Sequence, residues 1–284
     1  MADIGGRRLH VVRAGPTANG GKPLVLLEAG AFGFSADWAV VQARLAGRGF
    51  ASLAYDRAGL GLSDPGPEPR DGDAIGADLD AILCQEAPEG PLILVAHSMA
   101  GLHAHHYAVR HRERVVGLVL VDATTPASMD SKLVSTVVGH FAGAARLAAW
   151  GAGAGLFRPL SGTSLGDRIG LEGDIGEVKR WAFADAAHNH WAAEEVAQWP
   201  AAARQALAAG DLDPAWPVAV ILAGPADPRS GLKTLQMAPA VASHHGMVEH
   251  VAGANHASIL AGPHADVIAD GVDYVWAASA RTQV

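Results

Sequence analysis

The chain has a single cysteine, Cys84, so no intrachain disulfide can staple it, and a reducing compartment is compatible with it. It also lacks any long run of one charge. Twenty-one Lys+Arg against 29 Asp+Glu leave a formal net charge of −8 with no basic cluster. That argues against a nucleic-acid surface and against a cationic membrane patch. No stretch approaches the ~18 uninterrupted apolar residues of a membrane-spanning helix. The opening MADIGGRRLHVV has no apolar stretch of the kind a secretory leader carries, so the expected compartment is the cytoplasm. Metal chemistry lacks its usual partners. HAHH (103–106) puts His103 and His106 one helical turn apart and HNH (188–190) is a close pair, but neither comes with the carboxylates or thiols of a zinc site. The expectation is no metal and no cofactor. Composition does not choose between a monomer and a homodimer.

What the chain has is apolar periodicity. Half of its 284 residues are hydrophobic, enough for a large core. LHVVR (9–13), LVLLE (24–28), ASLAYD (51–56), PLILVAH (91–97), RVVGLVLVD (114–122), PVAVILAG (217–224) and, more weakly, MVEHVA (247–252) read as strands. Helical segments separate them at 36–49, 74–86, after Ser98, and at 263–278. Continuous apolar strands alternating with helices predict an α/β fold with a mostly parallel sheet covered on both faces. The pattern breaks between Thr124 and Pro217, where Ala, Gly and Trp abound and no strand of this kind is visible. The predicted organisation is a core of residues 1–123 and 216–284 interrupted by a helical cap at 124–215.

LILVAHSMAGLH (92–103) is the most informative stretch. A buried strand ends on Ser98 amid small residues, Ala96, Ala100 and Gly101. A sharp strand-to-helix turn demands small neighbours, and it lifts the serine oxygen over the sheet beside a helix N-terminus. A serine nucleophile needs a base, and the base an orienting acid. Two later loops at strand ends supply them: Asp227 in ILAGPADP and His256 in GANHASIL. In a parallel sheet these loops share one edge, so Ser98, Asp227 and His256 are expected to converge. Asn255, before the histidine, suits a left-handed backbone. Asp122, ending LVLVD, is the alternative acid. The glycine-rich turn in LLEAGAFGFSADW (26–38) can present the N–H of Ala31, which with that of Met99 would form an oxyanion hole.

These motifs, together with YDRAGLGLSDPGP (55–67) and LVLVDATTP (119–126), fall in an order that resembles the α/β-hydrolase fold superfamily, specifically short bacterial serine hydrolases with a helical cap. The resemblance covers nearly all of the chain outside the cap. Its G-x-x-D pattern fits Gly224 to Asp227 and makes Asp227 the preferred acid. Two positions depart from the family: Ala96 replaces the first elbow glycine, and Ala29 the histidine before the oxyanion loop. The resemblance implies that Asp56 and Arg57 form a buried pair pinning the glycine-rich loop, and that Ser98 rather than an aspartate is the nucleophile, unlike haloalkane dehalogenases and epoxide hydrolases of this fold. It implies hydrolysis of a small, fairly apolar ester or lactone. A carbon–carbon bond hydrolase, an amidase or aminopeptidase, and a slow-turnover binding protein are the alternatives. Phe32, Trp181 and Phe183 are the expected pocket residues, and Cys84 is expected to be a small core residue.

Overall fold

A computed structural model describes residues 1–17, 20–87 and 89–282. Two short strands, β1 (Ala2–Asp3) and β2 (Arg8–Leu9), pair as an antiparallel ribbon. The main sheet has seven strands: β3 (Val11–Ala14), β4 (Leu24–Glu28), β5 (Ser52–Tyr55), β6 (Leu92–His97), β7 (Val115–Val121), β8 (Val218–Ala223) and β9 (Gly246–Val251). Their order is β3-β5-β4-β6-β7-β8-β9, with only β3 antiparallel to its neighbour.

Helices α1 (Ala39–Gly47), α2 (Gly72–Glu86) and α3 (Ala100–Arg110) connect the early strands. Four helices lie between β7 and β8: α4 (Lys132–Gly153), α5 (Gly173–Ala184), α6 (Ala186–Ala197) and α7 (Trp199–Ala209). The described residues there contain no strand. Helices α8 (Gly231–Ala242) and α9 (Ala265–Thr282) complete the chain.

Every residue of β4 and β6 is buried, because helices cover both sheet faces. On one face Leu26, Leu53, Leu94 and Leu118 pack against α2 and α3 through Leu79, Ile82 and Ala104. On the other, Val25, Ile93, Val119 and Ile221 meet Trp38, Val41 and Leu45 beside α9. Ala265, Ile268, Ala269, Val272 and Val275 supply the α9 stripe at helical spacing. Full burial of each such branched side chain stabilises the fold by roughly 1.5–3 kcal/mol. Asp71 starts α2 by accepting the N–H of Ala74 at 3.1 Å. Cys84 departs from expectation: it sits on the exposed face of α2.

Register places the site. Glu28 pairs with Ala96, His97 with Val121, and Val121 with Ile221. The carboxyl ends of β4, β6 and β7 therefore lie at one level, and the residues just beyond β6 and β7, Ser98 and Asp122, emerge side by side.

Candidate active site

Ser98 has φ +58°, the left-handed region that a side chain rarely adopts. Such a residue costs about 1–3 kcal/mol and persists only where its surroundings hold it. Here its N–H donates to the Val121 carbonyl (3.2 Å), and its carbonyl accepts from Gly101 (3.1 Å) and Thr124 (2.8 Å). The small neighbours are sterically required. A Cβ on Gly101 would stand 2.4 Å from the Thr124 carbonyl oxygen, and one on Gly30 would stand 2.8 Å from the Ser98 Cβ.

His256 Nε2 lies 2.9 Å from Ser98 Oγ, and His256 Nδ1 lies 2.6 Å from Asp122 Oδ2. The acid beside the histidine is thus Asp122, and the preference for Asp227 is corrected. Asp227 is exposed, four residues past the end of β8, and its Oδ1 accepts the N–H of Arg229 at 3.0 Å. Asp122 immediately follows β7, the strand next to the one that carries Ser98, and it shares the left-handed strain with φ +43°. Burial pushes its carboxyl up, but the hydrogen bond and charge of His256 outweigh this, and its pKa lies below the ordinary value. Gln236 Nε2 reaches Asp122 Oδ1 at 3.3 Å. Asn255 is not left-handed. Its Oδ1 instead accepts from Ala257 and Ser258, both at 3.0 Å, fixing the turn that carries His256.

His97, directly before the serine, was not among the expected site residues. Its Nε2–H donates to the His256 carbonyl at 2.9 Å, and the two rings lie 4.6 Å apart. Burial, and then the neighbouring His256, lower its pKa to about 3, so it is a neutral donor at any ordinary pH.

Ala31 and Phe32 are the central residues of a turn closed by Gly33 N–H to the Gly30 carbonyl (3.0 Å), with Phe32 at φ +59°. Met99 is wholly buried at the start of α3. Among the described residues neither the Ala31 nor the Met99 amide has an intramolecular partner.

Arg57 pins this turn, though not through Asp56. Its guanidinium donates to the carbonyls of Ala29 (2.6 Å) and Gly30 (3.0 Å) and pairs with Glu195 of α6 at 2.9 Å and, more weakly, Glu28 at 3.4 Å. Burial pulls Arg57 down, but the Glu195 carboxylate more than offsets it, and the net direction is up. Asp56 instead ties the residues after this turn to the loop that follows β5, accepting from the N–H groups of Ser35 and Leu62, each at 2.9 Å. Glu195, 138 positions from Arg57, had no local signal to reveal it.

A cavity of about 570 Å³ lies between the strand tips and the helices that follow β7. Ser98, His256, Ala31 and Phe32 line it from below, and Phe141, Phe157 and Phe183 from the helical side. Phe183 stacks on Phe157 with centroids 5.1 Å apart. Trp181 does not reach the cavity; it is exposed on α5. His103 and His106 sit on α3 away from the cavity, and no metal-binding cluster of His, Cys, Asp and Glu occurs among the described residues. No helix among those residues is long and apolar enough to cross a membrane.

Comparison with known proteins bears on the fold. Residues 23–160 match the family model described as the alpha/beta hydrolase fold. A probable transporter of Hormonema carpetanum, efuK, is 33% identical over 129 residues, 44% of this chain and 18% of that protein, so the match spans a small part of the relative. The enol-lactonase of Burkholderia xenovorans LB400 superposes with a TM-score of 0.65 at 19% identity, covering 95% of this chain and 96% of that one. A putative epoxide hydrolase from Pseudomonas aeruginosa gives 0.73 at 18% identity, covering 98% and 94%. With the strand order, the parallel register and the family match taken together, the chain is a member of the alpha/beta hydrolase fold superfamily.

Proposed function

We propose that the protein is a serine hydrolase acting on small, fairly apolar carboxylic esters or lactones. The observation that carries this is the continuous chain from Ser98 Oγ through His256 to Asp122, with contacts of 2.9 and 2.6 Å, opening into an apolar cavity. Ser98 Oγ attacks the carbonyl carbon while His256 Nε2 takes its proton. Asp122 holds Nδ1–H and stabilises the imidazolium. The oxygen of the tetrahedral intermediate receives the Ala31 and Met99 N–H groups, and each donor of this kind contributes ~10²–10³ in rate. His256 returns the proton to the departing alkoxide, leaving an acyl-Ser98. Water, deprotonated by His256, then attacks the acyl carbon; the acid leaves and Ser98 recovers its proton.

Buried neutral His97 suits this cycle. It orients the backbone of His256 without adding a second positive charge when the imidazolium forms. A serine, where an alkyl-enzyme mechanism would need a carboxylate, favours acyl transfer over dehalogenation or epoxide opening. In this reading residues 124–215 act as a cap that roofs Ser98 and limits water. The test is a panel of p-nitrophenyl esters with wild type and Ser98→Ala. Turnover by wild type, with kcat lower by ~10⁴ or more in a folded Ser98→Ala, is expected. Equal turnover by the two would end this proposal.

A further inference from the structure

The cavity wall has one polar break that the hydrolytic cycle does not use. Asp37, in the short turn Ser35–Trp38 that follows the Ala31 loop, faces Lys179 of α5, with Oδ1 and Nζ 2.5 Å apart. The side chains are only 8% and 16% exposed, and both line the cavity. Lys179 Nζ also lies 4.8 Å over the Phe34 ring. Asp37 Oδ1 is enclosed against Nζ, whereas Oδ2 is neither enclosed nor, among the described residues, hydrogen-bonded. An ammonium carries three N–H donors and Asp37 occupies one direction, so the pair keeps donor and acceptor capacity side by side. Other buried polar groups of the wall are committed or one-sided. Asn189 Nδ2 donates to the carbonyls of Ala182, Phe183 and Asp185, and His188 Nδ1 accepts from Gly61 N–H. Trp199 Nε1 is free but is a donor only. Arg168 lines the cavity from an exposed position.

From this geometry we propose that the Asp37–Lys179 pair recognises a neutral hydroxyl on the substrate, whose O–H donates to Asp37 Oδ2 and whose oxygen accepts from Lys179 Nζ. This deepens the hydrolase reading and rests on Ser98 as the nucleophile. The pair has no net charge. A substrate carboxylate would set two anions against one buried cation, and an ammonium two cations against one anion, both costly to bury. A hydroxyl adds no charge and meets both unspent groups. A site built to hydrogen-bond a hydroxyl discriminates strongly against the analogue that lacks it, whereas an apolar wall does not.

The experiment compares kcat/KM for esters matched in length and ending in methyl, hydroxyl or carboxylate, with the terminal group on the acyl side in one panel and on the alcohol side in another. Wild type should prefer the hydroxylated ester by at least about tenfold at one length in one panel. In the double variant Asp37→Asn/Lys179→Met, which strands no buried charge, the ratio should fall to about one. Lys179→Met alone should show the same loss if it folds. A methyl or carboxylate preference in wild type, or a tenfold hydroxyl preference surviving in the folded double variant, overturns the inference. Fluorophosphonate labelling of Ser98 separates the two readings. Normal labelling and methyl-ester turnover without hydroxyl preference strike this inference alone, and no labelling strikes the hydrolase proposal. Calorimetric binding of a ketone pair with and without the hydroxyl reads the recognition without turnover: tighter binding of the hydroxyketone by tenfold supports it, and equal binding overturns it.

Discussion

Across the cavity, two halves of the molecule hold their side chains in different ways. At the strand tips, Phe32, Ser98 and Asp122 are all left-handed, and among the described residues they are the only non-glycine positions with positive φ. Strain of that kind survives because the sheet register and close packing leave no other arrangement. In the helices between β7 and β8 the backbone is regular, and large apolar side chains remain in solvent: Leu147 is 72% exposed and Trp150 71%. The strand edge is over-determined and suited to reacting groups. The helical half is loosely determined and suited to shaping what the reacting groups see. The buried Arg57–Glu195 pair is one of the places where the two halves are tied together, as is Asp37–Lys179.

If the comparison holds, substitutions at the strand edge should damage chemistry most. Asp122→Asn should lower kcat by ~10²–10⁴ by leaving His256 in the wrong tautomer, while Asp227→Asn should stay within about twofold. Steady-state kinetics of the two variants side by side decide it, and the reverse pattern would restore Asp227 as the acid. Next in size is the tie between the halves. Glu195→Ala leaves the Arg57 charge buried without its main partner and should destabilise the fold by about 3–5 kcal/mol in urea unfolding, with Glu195→Gln milder.

A smaller effect concerns the core beneath the edge. His103 is buried with both ring nitrogens unpartnered among the described residues, and burial, then nearby Arg57, lower its pKa from 6.5 to about 3. Between those values the unfolded chain binds a proton there and the native chain does not. Its contribution is therefore fully present above pH 6.5 and is lost as pH falls toward 3, by up to about 1.4 kcal/mol per pH unit. His103→Leu should flatten the acid limb of stability by that slope in urea titrations at several pH values. An unchanged slope would show that His103 is protonated in the native protein. Smallest of all, Phe183→Ala should alter the ester chain-length profile several-fold with Ser98 labelling retained, whereas Trp181→Ala should leave the profile as in wild type. A profile that moves with Trp181 would place the helical surface, rather than the cavity wall, in contact with substrate.

Much of the strand half was legible in the sequence because its constraints are local. Small residues box Ser98 within three positions on either side, and His256 follows the last strand in the expected chain order. Asp227 was expected beside His256 because a G-x-x-D spelling is local, whereas Asp122 is brought there by register, His97 opposite Val121, which single-sequence patterns do not carry. Arg57 was read as pinning the glycine-rich loop, and it does, but its carboxylate partner comes from α6, far along the chain. The helical half was less legible still. Trp181 and Phe183 look equivalent as aromatics, yet residues two apart on a helix point about 200° from one another, so only Phe183 faces the cavity. Lys179 lay in no motif, Asp37 fell inside LLEAGAFGFSADW with no role read for it, and only the packing of α5 on the Ser35–Trp38 turn brings them together.

The central claim is that Ser98, activated by His256 and Asp122, is the one nucleophile of this cavity. Fluorophosphonate labelling followed by peptide mass mapping tests it most directly. The expected result is a single adduct on Ser98 in the wild type, absent in Ser98→Ala and formed at least about a hundredfold more slowly in Asp122→Asn. An adduct on another residue, or undiminished labelling of Ser98→Ala, would contradict the account.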